Sequence, residues 1–264
     1  YCAQQAAGMR DWYRDQDHIM KGFVFGGAPA RNGVTAALLV QDGWTAVDDF
    51  LSGDGNFLRA MGIAGKGENL AEELGSRFEI TRTSIKKWTA GFPAQPFLDA
   101  FESLLKRQKV DPARVRGITL RLRPGSVVDD RGMASISVQH LVSLMLVDGT
   151  VTFASAHDDA RVADPRIARL REMVRLDPEN PTTITVTLDD GSTLSEQIGF
   201  LLGTPANPMW RDQVVAKCHP LMAPVLGEGR SRALIAALLD LEKRADMRTL
   251  RPMLQRSSPA SAPG

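Results

Sequence analysis

The hydrophobic periodicity of the chain changes twice, near residue 77 and again near residue 204. Before the first change, small residues and the pattern VTAALLVQ at 34–41 predict buried helix. Between the two changes, alternating segments such as TTITVTLDDG at 182–191 predict strands. After the second change, SRALIAALLDLEK at 231–243 carries a helical apolar stripe. This order predicts an α+β fold in which a discontinuous all-helical domain is interrupted by a smaller mixed domain.

The domain boundaries follow from the same changes. We assign residues 1–76 and 204–250 to the helical domain, residues 77–203 to the inserted smaller α+β domain, and the polar segment 255–264 to a disordered tail. A cleft between two such domains is where a ligand site normally lies. The elements predicted from pattern are helices at 45–51, 69–74, 97–108, 135–149, 165–174 and 204–226, and strands at 77–85 and 115–124.

Composition excludes several classes of function. The 264 residues carry 32 basic and 31 acidic side chains. The net charge of +1 therefore produces no strong positive potential that would attract nucleic acid or an anionic membrane. No uncharged apolar run is long enough for a membrane span. Cys2 and Cys218 are the only cysteines, too few for a disulfide framework, and we expect free thiols and a cytoplasmic setting.

Motifs for metal or cofactor binding are missing from the sequence. None of the four histidines has a histidine partner four residues away, and no Cys-x-x-Cys pair exists, so no zinc site is predicted. The segment FGGAPARNG at 25–33 has neither dinucleotide nor P-loop spacing, and its glycines are explained by close packing and a turn. No G-x-S-x-G elbow supports a hydrolase triad.

Four positions leave two interpretations open. Lys21, among apolar and tiny residues, is a snorkelling surface lysine or a cation that holds a carboxylate in a cleft. Lys86, before a proline-rich element end, is a solvated lysine or a site residue. His140, in an otherwise apolar helix, is a core histidine or a general acid or base. The run His157-Asp158-Asp159 is a polar turn, which we favour, or a histidine oriented by a carboxylate.

An ordered set of segments resembles the MmgE/PrpD family, which includes 2-methylcitrate dehydratase and cis-aconitate decarboxylase. The segments are HIMKGFVFGGAPARNGVTAALLVQDGWTAVDDFLSGDGNF, SIKKWTAGFPAQPFLDAFESLL, SISVQHLVSLMLVDGTV, DPRIARLREMV, TITVTLDDGS and GTPANPMWRDQVVAKC. They cover nearly the whole chain except the tail. The resemblance implies a large helical domain with a smaller α+β lid domain, a homodimer, and an active site between the domains.

The resemblance also implies the chemistry and the residues. Family lyases of this kind act on small carboxylic acids without a metal or organic cofactor. Lys21 and Lys86 fall on family lysines, and His140 falls on a family tyrosine that reaches the site. We therefore expect a hydro-lyase for a di- or tricarboxylic hydroxy acid, with decarboxylation or isomerisation as alternatives. Lys86, His140 and Lys21 are the expected catalytic residues, and Lys21, Lys86 and Gln95 the expected substrate-binding residues.

Departures from the family pattern support a second hypothesis. Pro93 and Gln95 stand where many members have histidines. We also expect the first half of the family's helical domain, with an Asp and further His residues of the site, to lie upstream of Tyr1. The alternative function is therefore a non-catalytic small-acid binder, or a degenerate or split subunit, on the same fold.

Overall fold

The computed structural model describes residues 22–60, 62, 71–122, 133–179 and 181–255. The chain divides into two compact units, residues 1–81 and residues 82–264. The predicted tail, apart from Gln255, lies outside the described residues. The described helices are each too short or too polar to traverse a lipid bilayer.

The first unit contains the predicted helix and short helical turns in its described part. A turn of π-helix, Phe23–Gly27, leads into α1, Ala28–Gln41, and α2 is the single turn Phe57–Ala60. The chain leaves α1 through Gly43, whose φ of +88° suits a residue without a side chain. The helix predicted from VTAALLVQ is therefore confirmed, but its predicted burial is wrong, because Val34 is 62% and Val40 70% exposed.

Two predictions in this region are wrong. Residues 45–51 form no helix, because the carboxylate of Asp49 accepts hydrogen bonds from the N–H groups of Leu51 and Ser52, each at 3.0 Å. Residues 77–85 form no strand but contain the 3₁₀ turn Glu79–Arg82. Backbone groups here are paired within the segment; for example, the Thr81 N–H donates to the Phe78 carbonyl at 3.0 Å. In a strand, the same groups would need hydrogen-bond partners on a neighbouring strand. Of the helix predicted at 69–74, the described residues 71–74 form turns.

A four-stranded sheet lies at the centre of the second unit. Its order is β2-β1-β3-β4, with β1 parallel to β2 and the other pairs antiparallel. Ile118 of β1 lies opposite Val174 of β2 and Val186 of β3. Buried residues alternate along β3, so one face of the sheet is covered and the other is not. The strands are β1 Val115–Arg121, β2 Val174–Asp177, β3 Thr183–Leu188 and β4 Thr193–Gln197.

Helices cover the buried face. α3 packs against β3 and β4, α7 packs against β1, and α4 packs against both α3 and α7. α4 is buried on nearly all sides, as expected for a helix with apolar residues all round. These helices confirm three helix predictions. The bounds are α3 Gln95–Arg107, α4 Val138–Asp148, α5 Phe153–Ala156, α6 Asp159–Val162 and α7 Pro165–Glu172.

A helical hairpin with a small apolar cluster of its own follows the sheet. α8, Arg211–Leu226, and α9, Glu228–Leu239, meet at Gly227, and Leu234 and Leu250 lie at the centre of the cluster. A final turn, α10, Arg251–Leu254, ends the described chain. The unit is mixed helix and sheet, which confirms the α+β class.

Candidate functional site

The segment at residues 85–91, here called the lysine segment, carries Lys86 between α3 and the loop that precedes α8. Lys86 is exposed, and its Nζ donates a hydrogen bond to the Ala90 carbonyl at 3.1 Å. The Ile85 N–H donates to the Gly203 carbonyl at 2.7 Å. The side chain of Lys86 thus crosses back over its own segment, and its backbone lies beside a loop more than a hundred residues later in the chain.

Gln95 fixes the second half of the lysine segment. Its amide oxygen accepts the Trp88 N–H at 3.0 Å, and its amide nitrogen donates to the carbonyls of Trp88 and Ala90, at 3.0 and 3.2 Å. Its exposure is 1%. Because Pro93 and Pro96 suit the first positions of short helices, the chain turns here and brings Gln95 under the segment. The described contacts of the Gln95 amide are therefore with the protein's own backbone.

Asp99 provides a third connection. Its carboxylate accepts the Trp88 indole N–H at 2.9 Å and the Leu202 backbone N–H at 3.2 Å. Lys87 lies 3.3 Å from Asp99 and 2.5 Å from Glu102, with its ammonium 4.5 Å from the Trp88 ring centre. Adjacent lysines therefore have different environments, and Lys87 belongs to a partly buried ion-pair network.

That network sets the ionisation of Glu102. Burial by itself raises the pKa of Glu102, but the hydrogen bonds and positive charges of Lys87 and Lys106 together outweigh burial, and the pKa lies below its usual value. Glu102 is thus a carboxylate near neutral pH. It stabilises the position of Lys87 and is not a general acid.

His140 belongs to α4, and residues just before this helix contact the end of the lysine segment. It is in the first turn of α4 with 1% exposure, and its N–H donates to the Oγ of Ser137, the N-cap, at 3.2 Å. The Gly91 N–H donates to the Ser135 carbonyl at 2.8 Å, and a β-carbon on Gly91 would lie 3.1 Å from the Ile136 side chain. The start of α4 therefore lies directly against the end of the lysine segment.

Lys217 of α8 is a residue that the sequence analysis missed. Its ammonium donates a hydrogen bond to the backbone carbonyl of Lys86. Burial lowers the pKa of Lys217, and the nearby Cys218 opposes this shift. No local sequence pattern predicts this contact, because the two lysines lie 131 positions apart in the sequence.

The remaining candidates are Lys21 and the run at residues 157–159. Lys21 lies outside the described residues. His157 bonds through Nδ1 to the Phe153 carbonyl at 2.8 Å, and Asp158 accepts the Ala160 N–H at 2.9 Å as the N-cap of α6. The favoured interpretation of this run, a polar turn, is confirmed. Within the described residues, no group of three or more His, Cys, Asp or Glu side chains is placed to hold a metal ion.

The arrangement brings two of the four predicted site residues together in the second unit. Lys86 lies on the lysine segment and Gln95 bonds to it, while the end of the segment contacts residues just before α4, the helix that carries His140. An exposed ammonium on a fixed segment is suited to bind an anionic group.

Comparison with known proteins gives one family. The model of the MmgE/PrpD C-terminal domain matches residues 88–243, more than half of the chain. The match begins two residues after Lys86 and contains Gln95, His140 and Lys217. A search of curated proteins gives no match.

Proposed function

The chain belongs to the MmgE/PrpD family, and from that premise we propose that it is part of a lyase that dehydrates a small di- or tricarboxylic hydroxy acid. The observation that carries this proposal is the lysine segment, where contacts from α3 and from the loop at residues 200–209 fix the backbone that bears Lys86. Family membership is compatible with lyase chemistry, and the residues at the segment supply the groups that such chemistry needs.

In the proposed reaction a base removes the proton next to a substrate carboxylate. The electrons of the C–H bond move into that carboxylate to give an enediolate, and its collapse expels the neighbouring hydroxyl, which takes up a proton and leaves as water. Positive charge at the carboxylate oxygens stabilises the enediolate more than the substrate, so it lowers the barrier. Lys86 supplies this charge, with Lys21 as a second cation, and His140 carries a proton.

Several finer features belong to the same proposal. Residues 1–76 and 204–250 form the helical domain around a lid at 77–203. Two copies make a homodimer in the cytoplasm. The alternative reactions are isomerisation, in which the enediolate takes up a proton at another carbon, and decarboxylation, in which loss of CO₂ leaves an electron pair on carbon that then takes up a proton.

The test uses the complete natural protein and an absorbance assay for the enoate product. Lys86→Met is expected to lower kcat/KM by about 100- to 1000-fold, the usual cost of removing one group that stabilises a developing oxyanion. Lys243→Met is the matched control, because Lys243 is an exposed lysine whose ammonium lies 2.7 Å from Asp240. Equal turnover by the Lys86 variant and the wild type would show that Lys86 has no catalytic role.

A second candidate is a non-catalytic binder of small acids. Gln95 supports it, because this residue stands where many family members have a histidine and its amide bonds to backbone. Calorimetry with citrate separates the candidates when combined with the enoate assay. Binding of citrate by full-length protein that forms no enoate from any hydroxy acid favours the binder.

A further inference from the structure

We propose that Lys217 is a positioning residue that holds the backbone of Lys86 in place for substrate binding; this inference rests on the proposed function. The contact is direct, since the Lys217 ammonium donates to the Lys86 carbonyl. Lys217 therefore acts through Lys86 and connects the α8–α9 hairpin to the lysine segment.

Other hydrogen bonds hold the residues on either side of Lys86. Gln95 bonds to Trp88 and Ala90, and Gly203 bonds to Ile85. Lys86 lies between these two sets of bonds. The hydrogen bond from Lys217 to the Lys86 carbonyl restricts the peptide unit between Lys86 and Lys87. It thereby restricts the direction in which the Lys86 side chain leaves the backbone.

The surroundings of Lys217 agree with a structural task. Its side chain is partly buried, and burial lowers its pKa. A partly desolvated ammonium forms a stronger hydrogen bond to a carbonyl than one in bulk water, because the local dielectric constant is lower. Lysine remains a donor in either protonation state, so the contact persists over a wide pH range.

Steady-state kinetics of the complete protein tests the role. Lys217→Met keeps the length of the side chain and removes the donor, and we expect about a tenfold loss in kcat/KM, the effect of one hydrogen bond to a charged group. Lys217→Arg retains a donor and is expected to recover most of the loss. Lys243→Met again serves as the surface control.

A double-mutant cycle separates positioning from general stability. If Lys217 acts through Lys86, then the variant with both Lys86→Met and Lys217→Met has the same kcat/KM as Lys86→Met alone. The proposal would be overturned if the fold-loss in kcat/KM of the double variant equals the product of the two single-variant losses. Failure of Lys217→Arg to recover any activity would also count against it.

Hydrogen exchange gives a readout that does not depend on turnover. The N–H groups of Ile85, Trp88 and Gly91 are all hydrogen-bonded in the structure and report on the segment. In Lys217→Met we expect about tenfold faster exchange at Ile85, with less change at Trp88, which Gln95 holds. The N–H of Gly191, in the β3–β4 turn, is the internal reference.

The two proposals fail in different ways. Protein that turns over no hydroxy acid refutes the proposed function, while faster exchange at Ile85 still supports the positioning role. Unchanged exchange in Lys217→Met refutes the positioning role, whatever the kinetics show.

Discussion

Gly203→Ala is the substitution for which the structure gives the sharpest expectation. Gly203 has a φ of +88°, and a β-carbon there would overlap the Ile85 carbonyl oxygen and lie 3.0 Å from its carbonyl carbon. The left-handed conformation costs an alanine about 1 kcal/mol, and loss of the Ile85–Gly203 hydrogen bond costs about 1 kcal/mol more. Displacement of the Ile85 backbone by the added β-carbon adds about 1–2 kcal/mol. The free energy of unfolding should therefore fall by about 3–4 kcal/mol.

Gly191→Ala is the matched control. Gly191 has a φ of +79°, but no atom lies within 4 Å of the position of its β-carbon. This variant carries only the backbone cost, about 1 kcal/mol. Urea denaturation followed by tryptophan fluorescence, to which Trp88 contributes as a residue only 6% exposed, measures both values. Equal destabilisation by the two substitutions would refute the close approach of Gly203 to Ile85. In the enoate assay, the Gly203 variant alone should lose activity, because it alone moves the residue before Lys86.

Two further predictions concern single side chains. Gln95→Leu leaves the buried Trp88 N–H without its acceptor and should lower the free energy of unfolding by about 2–3 kcal/mol, as measured by urea denaturation; an unchanged midpoint would contradict the bonds described for Gln95. For Asp190, hydrogen bonds from the Ser192 side chain and backbone, followed by Arg114, lower the pKa to about 2. A depressed carboxyl pKa stabilises the fold above the unfolded value near 4, and this contribution is lost as the pH falls toward 2. Asp190→Asn should flatten that part of the acid unfolding curve, and an identical curve would show that Asp190 does not contribute.

Local signals predicted the elements that depend on local chemistry. Alternation in TTITVTLDDG predicted β3 with its turn at Gly191, and Asp164-Pro165 predicted the start of α7, where Asp164 accepts the Arg166 N–H at 2.9 Å. The strand prediction at 77–85 failed because alternation alone does not provide a pairing partner. β2 and β4 were missed because they are short edge strands whose pairing with β1 and β3 defines them.

For the candidate site, too, the sequence indicated residues and the structure gave their contacts. Resemblance to a family indicated Lys86, Gln95 and His140; the structure joins Lys86 and Gln95 at the lysine segment and places His140 in α4, next along the chain from residues that contact Gly91. The resemblance could not show that the Gln95 amide bonds to backbone, that Lys87 pairs with Asp99 and Glu102, or that Lys217 contacts Lys86.

By itself, the sequence determined β1, β3 and most of the longer helices, and with them the α+β class, because periodicity and capping act over a few neighbouring residues; resemblance of ordered segments indicated the family. Only the tertiary structure decided which lysine carries which environment. The contacts that distinguish Lys86, Lys87 and Lys217 join segments up to 131 residues apart. Such contacts depend on the packing of the hairpin and the sheet, and no local pattern encodes them.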